Sequence, residues 1–143
     1  MLAQPYLNFD GRCEEALDFY RRTLDAEVTA LMRFKDNPEV CASGMVPPGA
    51  EGKVMHSSFR IGDSTLMASD SGCGGRPNFE GVSLALTTAN DDDAKRRFTA
   101  LSDGGRVEMP LEKTFWAERF GMCVDRFGTP WMINCQADKG GTA

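Results

Sequence analysis

His56 is the single histidine of this 143-residue chain. It stands in the strand-like run Val54-Met55-His56-Ser57-Ser58-Phe59-Arg60-Ile61. Imidazole titrates nearest neutrality, so His56 could act as a general base or as a hydrogen-bond donor to a ligand. Its other reading is a satisfied, partly buried polar residue. Strand alternation puts Val54, Ser58 and Arg60 on its face, with Met55, Ser57, Phe59 and Ile61 opposite. Arg60 and Arg126 could neutralise an anionic ligand through two parallel N–H bonds, or serve in surface ion pairs. Trp116 could stack on a ligand, whereas Trp131 reads as core. Asn8 and Ser83 offer smaller polar groups.

The remaining reactive residues point away from several function classes. The five cysteines are Cys13, Cys41, Cys73, Cys123 and Cys135, an odd number without a C-x-x-C pair. That argues against a disulfide framework and against a zinc knuckle, and it fits reduced thiols in the cytoplasm. Cys123 and Cys135 read as small core residues, and Cys73, in a Gly-rich loop, as exposed without an identifiable base. Net charge is −5. The basic run Lys95-Arg96-Arg97 follows Asp91-Asp92-Asp93, so it reads as a self-neutralising helix face and not as a nucleic-acid surface. No apolar run is long enough to span a bilayer, and Met1 to Pro5 lacks the features of a signal peptide. Gly72 to Gly75 does not follow a strand and open a helix as a nucleotide-binding loop would.

The elements that must position these residues follow from periodicity. Residues 4–9 read as a strand closed by Asp10-Gly11. Glu14 to Leu24 reads as a helix, with Ala16, Phe19, Tyr20 and Leu24 on one stripe. Glu27 to Phe34 alternates as a strand, with Val28, Ala30, Met32 and Phe34 on one face. Asp36 to Gly52 reads as a long loop. Lys53 to Ile61 and Ser64 to Ser69 form a hairpin, and Asp70 to Asn78 joins two halves. The order then recurs: a strand from Gly81 to Thr88, a helix capped by Asn90 or Asp91 and running to Leu101, a strand from Arg106 to Leu111, and a closing hairpin from Glu118 to Cys135. Pro110 marks an edge or a bulge in the strand that carries it. Asp125-Arg126-Phe127-Gly128 reads as the turn of that hairpin. The pattern is β-α-β-β-β written twice, module one over 3–70 and module two over 78–136, within one α+β domain. The tail 137–143 reads as disordered.

In order and spacing the chain resembles a PhnB-like member of the vicinal oxygen chelate superfamily, also called the glyoxalase/bleomycin-resistance/dioxygenase superfamily. The matching pieces are Pro5-Tyr6-Leu7-Asn8-Phe9-Asp10-Gly11, Glu15-Ala16-Leu17-Asp18-Phe19-Tyr20 and Met55-His56 with Arg60-Ile61-Gly62-Asp63. Then come Thr114-Phe115-Trp116, Gly121, Asp125-Arg126-Phe127-Gly128 and Trp131. The resemblance implies paired modules whose curved sheets form a cup, a homodimer, and a small organic ligand in the cup.

Metal-dependent members hold a divalent ion there through four side chains, usually His, Glu and Gln. Here the four positions fall at Gln4 or Pro5, on the strand of His56, at Val82 or Ser83, and near Met132 to Asn134. Gln4 and His56 are the weak metal candidates that remain. The carboxylate is missing, so no cofactor is expected. The resemblance leaves three readings: a small-molecule-binding protein or metal-independent enzyme with His56 as proton-transfer group, a metal-dependent lyase, isomerase or dioxygenase with a degenerate site, and a ligand-sequestering resistance-type protein.

Overall fold

Helix α1, Cys13–Leu24, forms because its apolar residues recur at helical spacing. Ala16, Phe19, Tyr20 and Leu24 are all buried, and Glu14 and Glu15 in the first turn with Arg21 and Arg22 in the last complement the helix dipole. The computed structural model describes residues 1–44, 46, 48–71 and 77–136. Cys73, the Gly72 to Gly75 cluster and the tail 137–143 lie outside them. The chain divides into two compact units, Met1–Pro77 and the segment beginning at Asn78.

In the first unit, β1 (Tyr6–Asn8), β2 (Glu27–Arg33), β3 (Val54–Ile61) and β4 (Ser64–Ser69) make one sheet in the order β1-β4-β3-β2. β1 runs parallel to β4, and the other pairs are antiparallel. β1 is shorter than the expected 4–9. Its ladder still extends past both ends, through Met67 N–H to Pro5 O and Phe9 N–H to Ser69 O. One sheet face packs on α1: Phe59 stacks on Tyr20 with ring centroids 6.0 Å apart, and the Ser57 hydroxyl lies 3.9 Å from the Cys13 thiol. Asp70 secures the start of α1, accepting the N–H groups of Gly11 and Cys13 on one oxygen and that of Val54 on the other.

Three expectations for this unit fail for local reasons. β2 does not alternate cleanly, because Val28 pairs with Phe59 and Ala30 with Ser58, leaving Thr29 as an extra residue. This bulge brings Val28 and Leu31 to the partly buried side and leaves Ala30 and Met32 exposed. A second irregularity opposes Arg33 to Val54 and leaves Met55 extra on β3. Val54 is therefore fully buried with Ser57 and Phe59 and does not share the face of His56. The expected loop Asp36 to Gly52 also holds a helix, α2, Pro38–Ala42. Pro38 sits at its start, and the Asn37 side chain accepts the Val40 N–H.

The second unit repeats the topology. β5 (Leu84–Thr87), β6 (Arg106–Glu112), β7 (Arg119–Val124) and β8 (Pro130–Cys135) pair in the order β5-β8-β7-β6, with β5 parallel to β8. α3, Asp91–Ser102, starts at Asn90, whose side chain accepts the Asp93 N–H at 2.8 Å, and it buries Ala94, Phe98 and Leu101. β6 breaks register on both sides of Met109, as a strand holding Pro110 should. β5 starts at Leu84, not at Gly81, so Val82 and Ser83 precede the strand and are exposed.

The hydrogen bond from Phe9 N–H to Ser69 O has its counterpart in that from Thr88 N–H to Asn134 O. The ladders of the two units correspond residue by residue from these pairs. Leu7, Ala68 and Ser57 then match Leu86, Ile133 and Gly121.

Candidate functional site

The sheet face of the first unit opposite α1 gathers the polar residues. Tyr6 pairs with Met67, Met67 with Ser58, and His56 with Met32, and register partners share a face. His56, two residues from Ser58, lies on this same face. The Tyr6 hydroxyl lies 3.1 Å from His56 Nδ1, with the rings 5.7 Å apart. His56 is half-buried, and its Nε2 has no hydrogen-bond partner among the described residues. Met32, the register partner of His56, and Met67, that of Tyr6 and Ser58, add flexible thioethers to the same face.

Asn8 is on the same face and is committed within the chain. Its Oδ1 accepts the Ser69 hydroxyl at 3.2 Å, and Ser69 lies 2.8 Å from the Ser71 hydroxyl. Arg60 pairs with its cross-strand partner Glu27 at 2.5 Å, so its charge is locally balanced. Gln4 is exposed and lies before β1. Tyr6 is the residue that reading single positions missed. It stood in the strand and in the motif, but the signal marking it, its partnership with His56, spans 50 residues.

Ser83 and Trp116 belong to the second unit. Ser83 is exposed ahead of β5. Trp116 is 53% exposed and packs edge-on against Phe120 and Phe115, at 5.5 and 4.8 Å. Trp131 is core, as expected, and is 2% exposed. The position of His56 corresponds to Phe120 and that of Tyr6 to Ala85, so the repeat keeps the scaffold without the polar pair. The position of Ser69 corresponds to Asn134, whose buried Oδ1 lacks a hydrogen-bond partner among the described residues. Arg126 bonds the backbone oxygen and carboxylate of Asp103.

A cleft of about 460 Å³ follows the start of α1, lined among others by Glu14, Asp18, Arg33, Lys53 and Asp70. His56 is not in its wall. Its cations are engaged: Arg33 grips Glu14, and Lys53 donates to Gly11 O at 2.9 Å. Among the described residues, no three His, Cys, Asp or Glu side chains come together as a metal cluster.

Residues 3–134 match the family described as 3-demethylubiquinone-9 3-methyltransferase. The chain belongs to this PhnB-like family. It is 38% identical over 141 residues to Protein YjdN of Escherichia coli K12, covering 94% of this chain and 95% of YjdN. It is 40% identical to protein PA1353 of Pseudomonas aeruginosa, with a TM-score of 0.82 and coverage of 96% of this chain and 99% of that one. A glyoxylase/bleomycin resistance/dioxygenase domain from Frankia is 10% identical, with a TM-score of 0.65, covering 97% of this chain and 93% of that one. That likeness shows the fold, which is α+β and glyoxalase-like. Membership rests on sequence and fold, and the methyltransferase activity in the family's description does not pass to this chain with them.

Proposed function

We propose that the protein binds a small organic ligand on the sheet face of the first unit that carries His56 and Tyr6. His56 is its hydrogen-bonding or proton-transfer group. The observation that carries this reading is the Tyr6–His56 pair. It is a half-buried imidazole, oriented by a phenol through Nδ1, with Nε2 unpaired among the described residues, on a face that also carries Met32 and Met67. Small-molecule sites set a few oriented polar groups among apolar ones, and this face sets Tyr6 and His56 with Met32 and Met67.

A divalent ion is not part of the proposal. At the positions the resemblance marks, this chain presents Gln4, His56, exposed Val82 or Ser83, and Met132 to Asn134. One imidazole and amide oxygens, without a carboxylate, suit a divalent ion poorly. A homodimer in the cytoplasm belongs to the same reading. It is supported by the family resemblance and by Cys13, Cys41, Cys123 and Cys135 being free thiols. No described helix is long and apolar enough to cross a membrane.

The test is a set of crystals soaked with small carbonyl, hydroxyl and amine fragments. Ordered density against His56 is expected, and density found only at other places rejects the site. Metal analysis of the purified protein is the second arm. A stoichiometric ion, or thermal stabilisation by added Ni, Zn or Mn, would overturn the metal-free reading. A fragment recovered unchanged marks binding, and one recovered altered, with the alteration lost in His56→Ala, marks an enzyme.

A further inference from the structure

The Tyr6 hydroxyl has one hydrogen-bond partner among the described residues, His56 Nδ1. A neutral imidazole carries a proton on one nitrogen and a lone pair on the other. A phenol donates well and accepts weakly, and a bare imidazole nitrogen is a strong neutral acceptor. The Tyr6 O–H therefore donates to Nδ1, which leaves the imidazole proton on Nε2.

We infer that Tyr6 is a positioning residue that holds His56 as the Nε2–H tautomer, so that the ring meets its ligand as a hydrogen-bond donor to a neutral, carbonyl-type oxygen. The inference rests on the proposed ligand site and sharpens it, because it turns His56 from a candidate base into a donor.

The charge pattern selects a neutral acceptor over an anion. The described cations of β1 to β4 are Arg33 and Arg60, and both are spent, on Glu14 and Glu27. Met32 and Met67, on the same sheet face, suit an apolar flank on the ligand. The imidazole is neutral in this tautomer, and the cation on its face, Arg60, is already paired with Glu27.

A single histidine makes the test direct, since every imidazole resonance belongs to His56. Two-bond proton–nitrogen spectra, recorded above the ordinary imidazole titration range, read the tautomer without any ligand. In the native chain we expect one tautomer, Nε2–H. In Tyr6→Phe, with an unchanged thermal melt, both ring nitrogens should move toward intermediate shifts as the two tautomers mix. An Nδ1–H tautomer in the native chain, or identical spectra for both proteins, overturns the assignment. The fragment soaks test the ligand site separately, so the two failures are distinguishable.

The ligand class has its own arm. Acetophenone, benzoate and benzylamine are titrated against the Nε2–H resonance. Acetophenone should move it most, and its binding should weaken in Tyr6→Phe by the reciprocal of the fraction still Nε2–H, about two-fold for an even mixture. Benzylamine or benzoate moving it more, or no movement with any of the three, overturns the carbonyl class.

Discussion

The Trp131 indole N–H donates to the Asp125 carboxylate across 2.9 Å, and each residue is only 2% exposed. The same carboxylate also accepts the Phe127 and Thr129 N–H groups, at 2.9 and 3.1 Å. One acidic side chain thus closes the β7–β8 turn and anchors the largest buried aromatic of the second unit. Asp125→Ala should strand these donors in a buried setting and cost about 3 kcal/mol. Trp131→Phe removes one bond and should cost less. Thermal melts check the order, with about 2–4 °C per kcal/mol for a chain of this size. A Trp131→Phe melt below that of Asp125→Ala would contradict the arrangement.

Two glycines mark where backbone approaches backbone. A Cβ on Gly105 would stand 2.0 Å from the Val124 carbonyl oxygen, and one on Gly121 would stand 2.9 Å from both Leu111 Cα and a Phe98 ring carbon. Neither backbone neighbour can give way cheaply. Gly121→Ala should cost about 1–3 kcal/mol, the range for overpacking, and Gly105→Ala more. A Cβ on Gly52 would meet nothing within 4 Å, and the φ there is ordinary, so Gly52→Ala serves as the neutral control. Denaturant midpoints at unchanged m-value would check the ranking.

Much of this fold was legible because one-dimensional periodicity survives folding. The stripe Ala16, Phe19, Tyr20 and Leu24 is buried as spaced, Asn90 caps α3, and Gly128 takes the positive φ of +90° that its turn requires. The errors sit where tertiary geometry overrides alternation. The extra residue Thr29 is invisible in a run that looks like an unbroken strand, yet it moves Leu31 and Met32 to opposite faces from those expected. The proposed site was half legible. His56 stood out by residue type, but Tyr6 acquires meaning only when the parallel β1–β4 pairing lets its hydroxyl reach across β4 to His56 on β3. Asn8 and Arg60 carry suitable chemistry and spend it on Ser69 and Glu27.

The buried thiols make stability fall in alkali. Burial pushes Cys13 and Cys123 up to about 12, with Asp70 and Asp125 nearby adding to the effect. An unfolded thiol ionises near its ordinary value of about 8.5. Between those values the unfolded chain sheds protons that the folded chain retains, so unfolding becomes more favourable as pH rises. The contribution is intact below the unfolded value and lost progressively through the folded one. Melting temperature should decline from about pH 9 upward, and Cys13→Ala with Cys123→Ala should flatten that decline whatever it does near neutrality. In native protein at neutral pH, iodoacetamide should modify half-buried Cys41 before either buried thiol. Faster labelling of Cys13 or Cys123 would contradict their placement.

Asn134 and its counterpart Ser69 occupy matching positions with opposite outcomes. Ser69 is satisfied by Asn8, while Asn134 Oδ1 is buried without a partner among the described residues, beside Thr87 and Phe120, its neighbours in register. A buried, unpaired acceptor costs about 1–3 kcal/mol. Replacing the amide with an apolar group of similar shape should recover part of that cost. Asn134→Leu is therefore expected to raise the melting temperature, an uncommon outcome for a strand residue, whereas Asn134→Asp should lower it by placing a charge where an amide already lacks a donor. A fall in melting temperature with Asn134→Leu would show that the amide is satisfied in solution, and calorimetry on the native chain and both variants decides between the two.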